Sequence, residues 1–257
     1  MLKDKKVLVI GMMSERSIAY GVAKSMHGFD AKIGFSCMQR FEERVKKISQ
    51  DWNPFMVNVC DMAKDEDITN MAEEVARHGK IDAIVHSIAF APRDHLEGGI
   101  LKNMTREGFL MSHDISVYSL AAVTKALLPH MNDNGSVVAL TYLGSSKIIP
   151  NYNVMGPCKA SLESMVRYLA YECGSRNIRV NAISAGPVRT PAASGIKDMG
   201  LMLNRVALSS PIKKPITTEQ IGNTAAFLCS DLSSGITGEV VFVDNGYHAM
   251  GVMAGVE

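Results

Sequence analysis

The sequence carries no excess charge of either sign: 27 lysines and arginines stand against 26 aspartates and glutamates. A nucleic-acid partner, which needs a basic face to neutralise phosphates, is therefore not expected. Long hydrophobic runs are also missing. A membrane helix needs roughly 18 consecutive apolar residues, and every apolar stretch here is much shorter, so no membrane association is expected. The short run at 7–10 follows a charged start in the manner of a signal peptide. Glu15 and Arg16 come directly after it, however, and no small-residue cleavage site appears. Cysteine is scarce, with five residues (Cys37, Cys60, Cys158, Cys173, Cys229), and none pair as C-x-x-C. That excludes a disulfide framework and a thiolate metal centre, and predicts a reduced, cytoplasmic chain without a metal. No stretch rich in Gly, Ser or Pro divides the 257 residues, so 1–257 reads as one domain with a large core.

What is present is alternation. Short β-branched runs at 7–10, 32–36, 56–59, 83–86, 136–141, 179–184 and 240–243 predict strands, several of them apolar on both faces. Strands buried on both faces belong to parallel sheets covered by helices. Helical periodicity fills the intervals 17–27, 40–49, 66–78, 106–131, 152–174 and 219–229. The pattern predicts an α/β fold: a doubly wound, Rossmann-type parallel sheet of about seven strands with helices on both faces. Ligands then bind at the carboxyl ends of the strands, where the strand order reverses.

The expected phosphate-binding glycines are incomplete. After the first strand comes Gly11-Met-Met-Ser-Glu-Arg-Ser17-Ile18-Ala19-Tyr20-Gly21, which is not G-x-G-x-x-G. Gly11 permits a tight turn off the strand, and Ser17 stands where a helix opens and presents its N–H groups and positive dipole end to a pyrophosphate. A plain strand–loop–helix turn with a capping serine reads the same way. Asp61, after the third strand, is placed either to accept from an adenine amino group or to cap the following helix. The fourth strand ends in His86-Ser-Ile-Ala-Phe-Ala-Pro92, small and apolar where a ribose and nicotinamide would lie. Together these favour a dinucleotide. The second strand ends Ser36-Cys-Met-Gln-Arg40, without the acid that binds the 2′-hydroxyl of NAD. Arg40 faces a 2′-phosphate or simply opens the next helix in solvent.

Ten residues beyond Tyr142, at the end of the fifth strand, comes Tyr152, and Lys159 follows seven positions later. With helix from Tyr152 onward, seven residues turn it by about 700°, so both side chains share one face. Lys159 then reaches the cofactor ribose and lends positive charge to the phenol, lowering its pKa. A solvent-facing lysine on an amphipathic helix is the simpler alternative, and an aromatic such as Tyr142 at a strand end is often core. A closer Tyr-x3-Lys spacing occurs only as Tyr20-x3-Lys24, on the first helix.

With Tyr142-x9-Tyr152-x6-Lys159, the chain resembles the short-chain dehydrogenases/reductases, and among them the bacterial enoyl-[acyl-carrier-protein] reductases of fatty-acid synthesis. Four further segments match: Gly11-x5-Ser17-Ile18-Ala19-x-Gly21, the run from His86 to Pro92, His113-Asp-Ile-Ser116, and Asn181-Ala-Ile-Ser-Ala-Gly-Pro187 continuing to Arg189-Thr190. The resemblance implies NAD(P)H-dependent reduction of the trans-2 double bond of an enoyl thioester on acyl carrier protein. It implies cofactor contacts at Gly11, Ser17, Ile18, Met38, Asp61, Met62, Ile88 and Lys159. Val188, Arg189, Thr190, Pro191 and Ala192 would hold the nicotinamide carboxamide and diphosphate. Tyr142 and Tyr152 would be the active-site tyrosines, with Ala91, Met155 and Ala193 beside the acyl substrate.

NADH is the expected cofactor, with NADPH left open by the missing acid. Met38 replaces a frequent glutamine and Pro191 a frequent leucine, and the basic residues that often follow Lys197 are absent. The segment 190–210, rich in Met and Leu, is expected to form a lid over the acyl chain. A homotetramer is expected too. Leu120, Ala121, Val123, Leu127 and Leu128 on one long helix, and Leu162, Met165, Leu169 and Cys173 on another, exceed what one sheet face can cover, and relatives pair these helices. A carbonyl reductase of the same superfamily and a non-catalytic dinucleotide sensor are the other readings.

Overall fold

The computed structural model describes residues 1–190 and 199–251. Its seven strands form one sheet in the order β3-β2-β1-β4-β5-β6-β7, every neighbouring pair parallel. They are β1 (Lys6–Ile10), β2 (Lys32–Cys37), β3 (Val57–Val59), β4 (Ile81–His86), β5 (Met131–Thr141), β6 (Arg179–Ala185) and β7 (Val240–Val243). All seven predicted strands are present. The helices are α1 (Ile18–Gly28), α2 (Glu42–Ser49), α3 (Asp65–Arg77), α4 (Ile100–Asn103), α5 (Arg106–His113), α6 (Ser119–Leu127), α7 (Met155–Cys173), α8 (Met199–Ser209) and α9 (Thr218–Cys229).

Successive strand residues point to opposite faces, and each face has its own core. Leu8, Ile10, Ile84, Val137 and Ala139 face one side, against Leu120, Leu127, Leu162 and Val166 of α6 and α7. Val7, Val9, Val85, Val138 and Leu140 face the other, against Ala19, Val22, Ile221 and Ala225 of α1 and α9. The winding direction reverses between β1 and β4, which lie side by side, and opens a crevice at their carboxyl ends. All five cysteines are buried in these layers. Burial pushes their thiols up, Cys37 and Cys158 to about 11 and Cys60 and Cys229 to about 12.

Two predicted boundaries are corrected. The single helix expected over 106–131 is instead α5, a π-turn at Asp114–Tyr118, α6 and a 3-10 turn at Leu128–His130. Pro129, which has no N–H to continue the ladder, sits in that last turn. Met131, expected to end the helix, begins β5 opposite Ile81. The helix expected to open at Tyr152 opens at Met155, because Asn151 and Asn153 adopt left-handed backbone (φ 63° and 40°) on either side of the tyrosine.

The surplus apolar surface expected on these helices is also corrected. Leu120, Val123, Leu127, Leu162, Leu169 and Cys173 are buried in the chain's own core, while Ala121, Leu128 and Met165 are half-buried. The exposed apolar side chains nearby are different ones: Leu110, Met111, Tyr118, Tyr168 and Tyr171.

Helices α1 and α9 meet where both carry glycine. A Cβ on Gly222 would sit 2.5 Å from the Gly21 carbonyl oxygen and equally close to Ser25 Oγ. Overpacking a site that is already closed costs about 1–3 kcal/mol. Gly222→Ala is therefore expected to lower the urea midpoint without changing the m-value. An unchanged midpoint would mean that the two helices separate freely.

Candidate active site

At the crevice, β1 turns sharply into its loop at Gly11, which has φ 97°. A Cβ there would run into the Ser87 carbonyl and approach Ile88 Cδ1 to 2.9 Å. Only glycine lets the loops after β1 and β4 lie against each other, and Ser87 N closes the junction by donating to the Ile10 carbonyl at 3.1 Å. Ser17 is buried and caps α1: its Oγ accepts from Tyr20 N at 3.3 Å and donates to the Ser14 carbonyl at 2.6 Å. Ile18, half-buried, opens the helix, so the first-turn N–H groups of α1 follow directly on the β1 loop.

The ends of β2 and β3 continue the sheet beyond β1. Met38 is exposed. Arg40 is exposed at the opening of the next helical segment. It lies in a 3-10 turn ahead of α2, its guanidinium 4.8 Å above the Phe41 ring. Asp61 closes a turn by accepting from Ala63 N at 3.1 Å, and its own N–H donates to Asp67 at 2.9 Å. The N-cap of α3 is Lys64, so Asp61 is not that helix's cap. Met62 is buried in the core. Val188, past β6, is buried, Arg189 is exposed, and Thr190 N donates to the Val188 carbonyl at 2.9 Å. Pro191, Ala192 and Ala193 lie outside the described residues, as does Lys197.

The end of β5 meets the start of α7. Tyr152 packs edge-on against Tyr142, ring centroids 5.0 Å apart at 77°. Gly144 leaves room for this ring, since a Cβ there would come 2.7 Å from Tyr152 Cε1. Met155, the first residue of α7, is buried in the same core cluster as Tyr152. Lys159 is only 4% exposed, and its Nζ donates to the Leu140 carbonyl at 2.7 Å. Two of its three N–H donors remain for other acceptors. Glu163, one turn further along α7, is held by Thr141 Oγ1 at 2.7 Å.

Electrostatics here differ from the sequence-based expectation. Lys159 does not lower the phenol. Burial dominates and pushes both Tyr142 and Tyr152 well above the usual tyrosine range. Both therefore stay protonated as O–H donors. Tyr142 Oη is buried with no hydrogen-bond partner. Burial also pulls Lys159 down to about 8, opposed by Cys158 and Glu163. His86, fully buried at the end of β4, is pushed down to about 3 by burial and by Lys159, so its imidazole is neutral. Ala91 and Ile88 are half-buried on the loop after β4.

The structure brings Tyr142, Tyr152, Lys159, Ile88 and Gly11 to one edge of the sheet. Their alignment does not come from a shared helix face, because Tyr152 precedes α7. Glu163, Thr141 and His86 had no role assigned from sequence. His86 was visible only as part of a matched segment, and the Thr141–Glu163 pair depends on two elements meeting in space.

The set fits a dinucleotide on structural grounds: a glycine that closes the crevice, a helix N-terminus after it, a buried ammonium with spare donors and a buried phenol lacking a partner. The family described as Enoyl-(Acyl carrier protein) reductase matches residues 11–248. The chain belongs to this family. The enoyl-[acyl-carrier-protein] reductase [NADH] FabI of Aquifex aeolicus (strain VF5) is 49% identical over 98% of this chain and 94% of its own. The crystal structure of the A. aeolicus enoyl-[acyl-carrier-protein] reductase (NADH) superposes with a TM-score of 0.95, covering 98% of this chain and 99% of that one. A Bacillus cereus enoyl-acyl carrier protein reductase, solved with NADP+ and indole naphthyridinone, is 42% identical and matches with a TM-score of 0.95 over 98% and 99% of the chains. The Tyr20/Lys24 pair lies on α1, away from the tyrosines after β5, and Tyr20 packs against Trp52 with ring centroids 5.2 Å apart.

The Lys159 shift has a consequence for stability. Its folded value, about 8, lies below the ordinary 10.5, so the unfolded chain holds this proton more tightly. A shift of this size destabilises the ligand-free fold by about 3 kcal/mol. The penalty is complete below pH 8 and is relieved as pH rises from about 8 towards 10.5. Wild type should therefore gain stability relative to Lys159→Met across that window, read from urea midpoints at successive pH values. A difference that stays flat with pH would show that the ammonium titrates normally.

Proposed function

We propose that the protein is an NADH-dependent enoyl-[acyl-carrier-protein] reductase, reducing the trans-2 double bond of an enoyl thioester carried on acyl carrier protein. The observation that carries this reading is the buried cluster of Tyr142, Tyr152 and Lys159 where β5 meets α7. Its Tyr-x9-Tyr-x6-Lys spacing is that of the enoyl reductases. NADH, when bound, supplies the hydride that adds to the β-carbon of the substrate.

The chain's own groups do the rest. Reduction at the β-carbon drives negative charge onto the thioester oxygen. A neutral phenol in a dry site is a strong donor to such an oxygen, and it needs no reorganisation when the charge appears. Tyr152 takes this role, and the unpartnered Tyr142 hydroxyl is a second donor beside it. Lys159 offers its two remaining N–H groups to the ribose hydroxyls. Gly11, Ser17 and Ile18 receive the pyrophosphate, with Met38, Asp61 and Met62 around the adenosine. Ile88 and the run from Val188 through Pro191 and Ala192 border the nicotinamide. Ala91, Met155 and Ala193 border the acyl chain. The segment 190–210, which includes α8, covers it as a lid within the single domain 1–257. Arg40, stacked on its own neighbour, is not arranged as a 2′-phosphate clamp, which supports NADH over NADPH. The protein works in the cytoplasm.

Loss of NADH absorbance with crotonyl-coenzyme A tests the activity, and a panel of ketones should give none. Tyr152→Phe is expected to lower kcat about a hundredfold, the effect of removing one oxyanion donor, with the Kd for NADH unchanged. Wild-type turnover in that variant would remove Tyr152 from the mechanism.

Support for an assembly comes from the apolar side chains left exposed on α5, the π-turn and α7, among them Leu110, Met111, Tyr118, Tyr168 and Tyr171. Together they favour a homotetramer. Light scattering should report the mass of four 27.9 kDa chains, and a stable monomer at micromolar concentration would refute it.

A further inference from the structure

The π-turn at Asp114–Tyr118 interrupts what would otherwise be one helix between β4 and β5. Such a turn adds one residue to a helical cycle, resets the direction of the side chains beyond it, and is frequent at functional sites. Here it sends Ser116 and Ser119 inward, both fully buried, toward the loop that leaves β4. Ser116 Oγ accepts from Phe90 N at 2.9 Å and donates to the Phe90 carbonyl at 3.0 Å. One hydroxyl thus satisfies both main-chain groups of a single loop residue.

Ser119 holds the base of the same loop. Its only proton goes to the Ile115 carbonyl at 2.7 Å. His86 Nε2, 2.8 Å from Ser119 Oγ, must then be the donor in their hydrogen bond. The loop is consequently pinned at His86 by Ser119, at Ser87 by the Ile10 carbonyl, and at Phe90 by Ser116. Ile88, beside Gly11, lies between these pins, and Ala91 lies directly beyond the last.

We infer that the π-turn positions the substrate wall, with Ser116 acting through Phe90 to hold Ala91 against the acyl chain. Ser116 and Ser119 are positioning residues, since neither reaches a reacting atom. The inference rests on the proposed enoyl reduction for what Ala91 touches. Phe90 is itself exposed, so side-chain burial does little to hold the loop. Two main-chain hydrogen bonds to one serine do so instead.

The test compares Ser116→Ala and Ser116→Thr with wild type by two readouts. The first is hydrogen exchange at the Phe90 amide in the ligand-free protein, which needs no activity. The second is the division of the kinetic effect between KM and kcat. In Ser116→Ala the Phe90 amide should exchange about tenfold faster, the scale of one buried hydrogen bond. KM for crotonyl-coenzyme A should rise by a similar factor, with kcat and the Kd for NADH within twofold of wild type. Ser116→Thr, which keeps the hydroxyl, should restore both readouts. Unchanged exchange and unchanged KM in Ser116→Ala would overturn the inference. Faster exchange with an unchanged KM would do so as well, since the pin would then position nothing.

If Ser116→Ala does not fold, wild type alone decides: a Phe90 amide exchanging as fast as that of exposed Ala89 refutes the pin, and a protected one supports it. A wild type that protects Phe90 but reduces no enoyl thioester would overturn the assigned activity, and with it the role given to Ala91, while leaving the pin itself in place.

Discussion

Lys159 is a charge that the fold has taken out of water, and the site is organised around keeping it there. A buried ammonium survives only if its donors are satisfied and its neighbours do not compete with it. The Leu140 carbonyl provides the acceptor, and Glu163, anchored by Thr141, provides the nearby negative charge. His86, on the next strand, must stay neutral, which its burial ensures. These requirements tie the ends of β4 and β5 to the first turns of α7. The dryness that burdens the lysine also keeps both tyrosines protonated. One physical condition, the exclusion of water at this edge, thus produces a cation with spare donors beside two neutral phenols.

Most of the fold was legible because parallel strands buried on both faces are nearly continuous apolar runs, whatever lies around them. Val7–Ile10 reads as a strand from its own residues, since β1 is central. Helix interruptions were less legible. Residues 106–131 keep apolar periodicity, which masks the break that Pro129 marks, and the pairing of Met131 with Ile81 shows where helix has yielded to strand. The left-handed turn around Tyr152 could have been read from Asn151 and Asn153, two asparagines flanking the tyrosine. The two-turn spacing to Lys159 was the more obvious signal, and it concealed that turn.

In the site, residue identities were more legible than their electrostatics. Tyr142 and Tyr152 pack together and Lys159 is buried against the Leu140 carbonyl, yet the direction of the phenol shift is the reverse of the expectation. A sequence shows which charges are near in number along the chain, but not how much water each group loses. Desolvation decided the outcome at Tyr152, His86 and Lys159 alike. Partners across elements, such as Thr141 with Glu163 or Ser116 with Phe90, leave no periodic trace at all. The apolar residues expected to form an interface illustrate the same limit, because whether a leucine faces the sheet or a neighbour depends on the crossing of two helices.

The five cysteines bear on how the protein can be observed. Each lies within the packed layers, and burial holds each thiol above its ordinary range, so almost none is thiolate near neutral pH. The thiolate is the reactive form. An alkylating reagent therefore meets no reactive sulfur on the native surface, and gains all five when the chain opens. The labelling rate counts excursions out of the native state, which makes this chain its own clock for unfolding, with no engineered probe.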